Sequence, residues 1–200
     1  MDSTSQTLEY YDKNSESFLA DTANVEFREL QSRFASMLPA GGRILDLGCG
    51  SGRDSLAFLK AGFKVDAVDG SKQMVEVAKG LTGLDVTQAL FSEYEPNGLY
   101  DGIWACSSLL HVASGELPSL IEKYSKALKP NGVFYLSFKL GDYEGMRNGR
   151  WFTDFTEESF CALIGKINGL EILEIDITID VRPGRSDEKW LNAWCIRRDS

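Results

Sequence analysis

The sequence predicts an α/β fold: a three-layer sandwich around a doubly wound, mostly parallel sheet of seven strands that ends in an antiparallel hairpin. Three observations predict it. From Arg43 to Phe138, short β-rich bursts alternate with stretches whose apolar residues recur at helical spacing, the pattern of strands crossed over by helices. A glycine-rich turn, Asp46-Leu47-Gly48-Cys49-Gly50-Ser51-Gly52, joins the first burst to the first of these helices. Finally, the last two extended runs are joined only by Arg182-Pro183-Gly184-Arg185-Ser186-Asp187-Glu188, too short a link for a parallel crossover.

The elements follow in order. The first forty residues read as helical, with three-and-four apolar spacing over Ser15–Ala20 and Val25–Leu38, stopped by Pro39-Ala40-Gly41-Gly42. Strands are expected at Ile44–Leu47, Lys64–Val68, Leu84–Ala89, Tyr100–Ala105 and Gly132–Phe138, and helices at Ser51–Lys60, Ser71–Lys79, Leu117–Leu128 and Thr156–Ile167. Leu170–Val181 and Lys189–Arg197 form the closing pair. Ser71 is placed to cap the helix that follows it.

Composition narrows the function classes. The 200 residues suffice for one domain, expected to span 1–200. No apolar run reaches membrane-spanning length, and the polar start Met1-Asp2-Ser3-Thr4 lacks the regions of a signal peptide. Cys49, Cys106, Cys161 and Cys195 lie far apart, and His111 is the only histidine, which argues for a reducing cytoplasm and against a metal centre. A net charge of −9 disfavours nucleic acid as a partner.

The glycine turn carries the chemistry. Glycines between a strand and a helix let the backbone approach a ligand, and the helix start offers unpaired N–H groups. A dinucleotide fingerprint would need glycine at 53, where Arg53 stands. The pattern D-x-G-x-G-x-G instead puts the Asp46 carboxylate beside the cradle, which suits a cationic ligand bearing an amine and a sulfonium. Asp69, about twenty residues on, sits where such folds bind a ribose diol.

These residues resemble motif I of the class I S-adenosylmethionine (SAM) methyltransferases, which have a Rossmann-like fold. Leu128-Lys129-Pro130-Asn131-Gly132 likewise resembles the family's turn before strand five, with Asn131 in place of a glycine. The resemblance spans residues 8 to 198 and leans towards the small-molecule, tellurite-resistance-type branch. It implies that the last strand inserts beside the fifth. It also implies SAM as cofactor, S-adenosylhomocysteine (SAH) as product, and residues 1–40 as a helical lid segment. Gly48, Cys49, Gly50 and Gly52 would then face the methionine part, with Asp46 on its amino group and the Ala105 carbonyl nearby. Asp69 would bind the ribose, Ser71, Met74, Phe91 and Ser92 the adenine, and Gly70 belongs to the same cofactor-binding set.

The acceptor side rests on two arginine-bearing loops. Arg147 and Arg150, beside Trp151 in Gly141–Phe152, and Arg182 and Arg185 in the last link make four of the ten arginines. They suit a small anionic acceptor, since a guanidinium grips carboxylate or phosphate bidentately; the alternative is ion pairing with Glu144, Asp187 and Glu188. Trp104, Trp151, Phe152 and Trp190 are expected as pocket walls. His111, after the fourth strand, is a candidate general base, and Tyr11 a candidate lid and catalytic residue. Tyr10 and Asn14 accompany it, with a helix cap and aromatic packing as the alternative. The expected reaction is in-line methyl transfer, by a monomer or homodimer, to a small molecule. A tRNA- or RNA-modifying methyltransferase and a non-catalytic SAM-binding module are the alternatives.

Overall fold

Five parallel strands, β1 (Arg43–Leu47), β2 (Lys64–Asp69), β3 (Thr87–Gln88), β4 (Tyr100–Ala105) and β5 (Leu128–Lys139), form the body of the sheet in the computed structural model. It describes residues 2–15, 27–182, 184–185 and 187–198. Two antiparallel strands complete the sheet: β8 (Leu170–Ile179) and β9 (Lys189–Arg197), with β9 inserted between β5 and β8. The strand order is β3-β2-β1-β4-β5-β9-β8. The order reverses between β1 and β4, where open α/β sheets bind ligands beyond the carboxyl ends of their strands.

Alternation along the strands builds the two cores. Ile44, Trp104, Tyr135 and Trp194 point to one face, where α2 (Arg28–Ser36) and α3 (Arg53–Lys60) bring Phe34 and Phe58. Leu45, Ile103, Phe134 and Leu136 point to the other, under α5 (Leu117–Ser125) and α6 (Glu157–Ile164). Strands buried on both faces explain why they read as unbroken apolar runs. α4 (Lys72–Thr82) covers the β2 side.

Several expectations are corrected. Trp104 is no pocket wall: it is fully buried, stacked on Tyr135 at 3.9 Å between Phe34 and Phe58. Its position on β4 turns it into the aromatic core. The third strand is only two residues long, and the helix from Leu117 ends at Ser125 because β5 starts at Leu128. Asn131 does take the left-handed conformation, at φ 61°. Gly141–Phe152, read as a loop, contains the hairpin of β6 (Glu144–Arg147) and β7 (Arg150–Thr153). Its turn, Asn148-Gly149, has φ of 52° and 80°, as two-residue hairpins need. The N-terminal segment forms α1 (Ser3–Lys13), capped by Asp2 at one end and Asn14 at the other. Residues 16–20 of the helix expected at 15–20, and the first two residues of the one expected from 25, lie outside the described residues. Among the described residues no helix is long and apolar enough to cross a membrane.

Gly102 in β4 leaves space for α2: a Cβ there would come within 2.6 Å of Phe34 Cζ and 2.7 Å of Leu38 Cδ1. Phe34 is enclosed by rings and cannot withdraw. Gly102→Ala is therefore expected to destabilise the fold by about 1–3 kcal/mol through overpacking. Urea unfolding checks this as a lowered midpoint at unchanged slope.

Candidate active site

The turn after β1 is held by close packing below and by Asp69 beside it. Gly48 has φ 79°, and a Cβ on it would meet the Ser108 Cβ at 2.4 Å. Ser108 Oγ donates to the Leu47 carbonyl at 2.6 Å, so only glycine admits this approach. The N–H groups of Gly48 and Cys49 donate to the Val68 carbonyl at 2.9 and 3.0 Å. The next residue is Asp69, whose carboxylate accepts from Gly50 N and Ser71 N, each at 2.8 Å. The end of β2 thus ties the glycine turn to the start of α4.

Asp46, Asp54 and Asp69 line the cavity around this turn. Asp46 is 2% exposed and accepts from Ser55 Oγ at 2.6 Å. Burial, and then the charge of Asp54, raise its pKa. Burial also raises Asp69, although the N–H groups of Ser71 and Gly50 favour its charged form. For Asp54 burial is outweighed by the Arg53 guanidinium and by hydrogen bonds from Arg53, Trp104 and Gln31, which hold it below the ordinary carboxylate range. Burial and then the Asp46 charge push the Cys49 thiol far up, and burial with the Asp54 charge pushes Cys106 to about 12. Neither thiol is a nucleophile at neutral pH.

α1 forms the roof and reaches both sides. Leu8 Cδ2 lies so close to Gly70 that a Cβ there would meet it at 2.8 Å. Asp12 Oδ1 accepts from Ser71 Oγ at 2.6 Å and from Gln73 N at 3.2 Å, at the start of α4. On the hairpin side, Thr7 Oγ1 accepts from Trp151 N at 2.9 Å. Tyr10 packs against Gly149 and lies under Arg150, whose Cζ is 4.5 Å from the ring centroid. Tyr11 Oη bonds His111 Nε2 at 2.8 Å, and His111 Nδ1 bonds the Trp151 carbonyl at 2.6 Å. Burial lowers the His111 pKa to about 4; the Trp151 carbonyl works against this and the Arg150 charge with it.

The roof, turn and hairpin enclose a cavity of about 970 Å³. Of the expected cofactor residues, Asp46, Gly48, Cys49, Gly50, Asp69, Gly70, Met74, Phe91 and Ser92 line it. So do Tyr11, His111 and all four arginines. Gly52, Ser71, Ala105 and Trp151 stand behind the lining. Gly52 starts α3 where a Cβ would strike Thr82 and Ala78 of α4, and Ser71 caps α4 by accepting from Met74 N. Ala105 is fully buried at the end of β4. Trp151 contributes its backbone, while its indole donates to Thr153 Oγ1 at 3.1 Å; Phe152 and Trp190 do line the cavity.

The arginines divide by partner. Arg147 Nη2 bonds Asp154 Oδ2 at 2.7 Å. Arg182 clasps Asp180 through Nε, at 2.8 Å, and Nη2. Arg185 faces Glu188 at 3.9 Å. Asp180 also accepts from Lys139 and Trp190 at 2.8 and 3.0 Å. Burial would raise this carboxyl, but the bonds from Arg182 and Lys139 outweigh it and hold it well below its ordinary value. Arg150 differs: among the described residues no carboxylate pairs with it. It lies over the faces of Tyr10, Tyr11 and Phe152, donates to Tyr11 Oη at 3.3 Å, and leaves its buried Nε unbonded. Glu144, expected as an arginine partner, instead accepts from Ser114 N and Oγ at 2.7 and 2.8 Å.

Sequence reasoning missed Asp12, Thr7 and Lys139, for which no local motif exists. It also missed the Asp154–Arg147 pair, which the Asn148-Gly149 turn signal could have suggested by folding β6 onto β7.

Together the fold and the site define an α/β domain whose glycine turn, Asp69, Tyr11, His111 and Arg150 open onto one cavity. A family model described as a methyltransferase domain matches residues 19–175, and the chain belongs to the class I SAM-dependent methyltransferase family. Over 100 residues it is 33% identical to a ubiquinone biosynthesis O-methyltransferase of Rickettsia prowazekii, covering 48% of this chain and 39% of that protein. It is also 33% identical over 109 residues to an S-adenosyl-L-methionine-dependent Diels-Alderase of Talaromyces variabilis, covering 50% of this chain and 37% of that one. The chain spans about two-fifths of the length of the curated relatives it matches. Among solved structures, a 1,6-didemethyltoxoflavin-N1-methyltransferase of Burkholderia thailandensis superposes with TM-score 0.75 at 20% identity, covering 96% of this chain and 85% of that one. A TehB-like SAM-dependent methyltransferase of Corynebacterium glutamicum gives 0.70 at 20% identity, covering 96% and 98%.

The residues present fit SAM. Asp46 and Asp69 line one cavity with raised pKa values, a setting relieved by a cation and by hydroxyl donors. Arg53, the cation beside the turn, is tied to Asp54 at 2.7 Å, whereas a pyrophosphate would call for an available positive charge there.

His111 is the only histidine in the chain, so its NMR titration is unambiguous. Its midpoint is expected near 4. The folded state then binds fewer protons than the unfolded state between about pH 6.5 and 4. This site's contribution to stability is full above the unfolded value and is lost as pH falls through that window, by on the order of 3 kcal/mol. Comparison of wild type with His111→Gln across this range isolates it from the carboxyls.

Proposed function

We propose that the protein transfers the methyl group of SAM to a small acceptor by in-line displacement, releasing SAH. The observation that carries this reading is the single cavity of about 970 Å³ lined by the glycine turn and Asp69 and equally by Tyr11, His111 and Arg150. At the upper end of the usual range of roughly 300–1,000 Å³, it has room for a cofactor and a small second ligand. When bound, SAM supplies a methyl group already activated on a sulfonium. Alignment and exclusion of water can therefore provide most of the acceleration.

The backbone of Gly48, Cys49 and Gly50 holds the methionine part, with Asp46 opposite its ammonium. Asp69 accepts from the ribose hydroxyls while keeping its bonds to Gly50 and Ser71. Gly70, Met74, Phe91 and Ser92 flank the adenine; Gly52, Ser71 and Ala105 support these groups from behind. The acceptor lies against Arg150, whose lack of a carboxylate partner among the described residues makes it the arginine best placed for a negative oxygen. Arg147, Arg182 and Arg185 already meet Asp154, Asp180 and Glu188, so they shape the pocket wall. The four thiols, none joined in a disulfide, suit the reducing cytoplasm the composition suggests.

A second reading, SAM bound without methyl transfer, is favoured by one finding: the relatives include the S-adenosyl-L-methionine-dependent Diels-Alderase of Talaromyces variabilis. Release of SAH from SAM in the presence of fractionated metabolites separates the two.

Calorimetry with SAH tests the cofactor site. Saturable binding is expected, and Asp69→Asn is expected to weaken it about 10- to 100-fold, the value of a hydrogen bond to a charged group. No heat with SAM or SAH on folded protein, or an unaffected variant, contradicts the assignment.

A further inference from the structure

The hydrogen bonds around His111 have a determined direction. A carbonyl only accepts, so His111 Nδ1 must carry the proton that bonds Trp151 O at 2.6 Å. The neutral ring then has its lone pair on Nε2, and Tyr11 Oη, 2.8 Å away, must donate to it. Arg150 Nη1 in turn donates to Tyr11 Oη at 3.3 Å. The chain runs one way, from Arg150 through Tyr11 and His111 to the Trp151 carbonyl. It spans three elements: α1 supplies Tyr11, the turn after β4 supplies His111, and β7 supplies Arg150 and the Trp151 backbone.

We propose that Tyr11 and His111 form a proton relay and that the acceptor is a weakly acidic hydroxyl compound, phenolic or enolic, whose proton ends on His111. This rests on the methyl-transfer reading above. Tyr11, His111 and Arg150 all line the cavity, so an acceptor hydroxyl can settle against Tyr11 Oη in place of the long Arg150 contact. Its proton passes to Tyr11 Oη as the Tyr11 proton passes to Nε2. The acceptor oxygen forms its bond to the methyl carbon as the carbon–sulfur bond breaks, the electron pair remaining on sulfur. Arg150 Nη1, released from Tyr11, is left to the developing oxyanion. The imidazolium keeps its Nδ1–H bond to Trp151.

The surroundings suit a base that rests neutral. His111 has a carbonyl rather than a carboxylate on Nδ1, so no resident anion charges the ring before an acceptor arrives. Phe152 packs edge-on at 5.0 Å and Tyr11 at 5.5 Å. Among the described residues, the charged groups that act on the pair are Arg150, which acts on both, and Asp69 and Arg182, which act on Tyr11. Acceptors that are anions before they bind, such as carboxylates, would leave this relay with nothing to accept. Tyr11 and Phe152, the rings beside Arg150 that line the cavity, favour a flat molecule.

p-Nitrophenol, whose ionisation is visible, tests this in the protein saturated with SAH, with SAH binding measured separately by calorimetry. The bound probe is expected to ionise about one to three pH units below its free value. At neutral pH the ring signals of the sole histidine should move from imidazole to imidazolium as the probe binds. Tyr11→Phe and His111→Gln should still bind SAH, α1 keeping its Asp12, Leu8 and Thr7 contacts, while losing the probe's shift, and in Tyr11→Phe the histidine should stay neutral. The relay is overturned if SAH binds but the probe does not. It is also overturned if the histidine stays neutral while the probe ionises in wild type, or if the shift survives in both variants. Failure to bind SAH overturns the methyl-transfer reading itself.

Discussion

The Asp69 carboxylate, at the end of β2, accepts one backbone N–H from the glycine turn and one from the start of α4, each at 2.8 Å. Two helices that follow different strands are thereby set at fixed positions beyond the sheet edge. Burial makes this carboxylate costly to keep charged, and the two N–H groups offset that cost. The same group faces the cavity, so the residue that organises the turn also borders the proposed cofactor site. The parallel sheet supplies the frame, but this bond pair sets where the cradle sits.

A second constraint comes from α1, a helix too polar to be held by its own burial, with only Thr7 fully buried. Specific contacts hold it: Asp12 at the α4 start, Leu8 over Gly70, Thr7 on the hairpin and Tyr11 on His111. Since it touches the start of α4 and the β6–β7 hairpin at once, its docking couples the geometry of the proposed cofactor and acceptor sides. In the arginine-bearing wall, charges are mostly neutralised in place. Lys139, Arg182 and Arg185 meet Asp180 and Glu188, and that network ties the end of β5 to the β8–β9 link. Arg150 alone of the four expected arginines rests on rings instead of a carboxylate, which leaves its charge available to a ligand.

The parallel strands could be read from the sequence because strands buried on both faces are near-continuous apolar runs, and the glycine turn because its φ values of 79°, 53° and 81° admit little else. The terminal hairpin followed from the length of its link. The β6–β7 hairpin was missed although Asn148-Gly149 signals it, since its four-residue strands carry arginine and glycine in place of alternating apolar residues. α1 lacks an apolar stripe, so periodicity could not mark it. Trp104 was misplaced because strand position fixes which end of the sheet a residue approaches, while the face it points to depends on register. At the cavity, the lining carboxylates Asp46 and Asp69 and the glycines of the turn stand in the sequence as a linear motif. The pairing of Tyr11 with His111, a hundred residues apart, exists only through the tertiary fold, as do the carboxylate partners of Arg147 and Arg182.

The central claim is that the turn after β1 and the Asp69 carboxylate together cradle a sulfonium nucleoside. A crystal structure of the protein grown with SAH tests it most directly. The account predicts the ribose hydroxyls on Asp69, the methionine portion along Gly48–Gly50, and the sulfur directed towards Tyr11, His111 and Arg150. Density for SAH elsewhere, or a nucleoside in the cavity with its sugar away from Asp69, would contradict it.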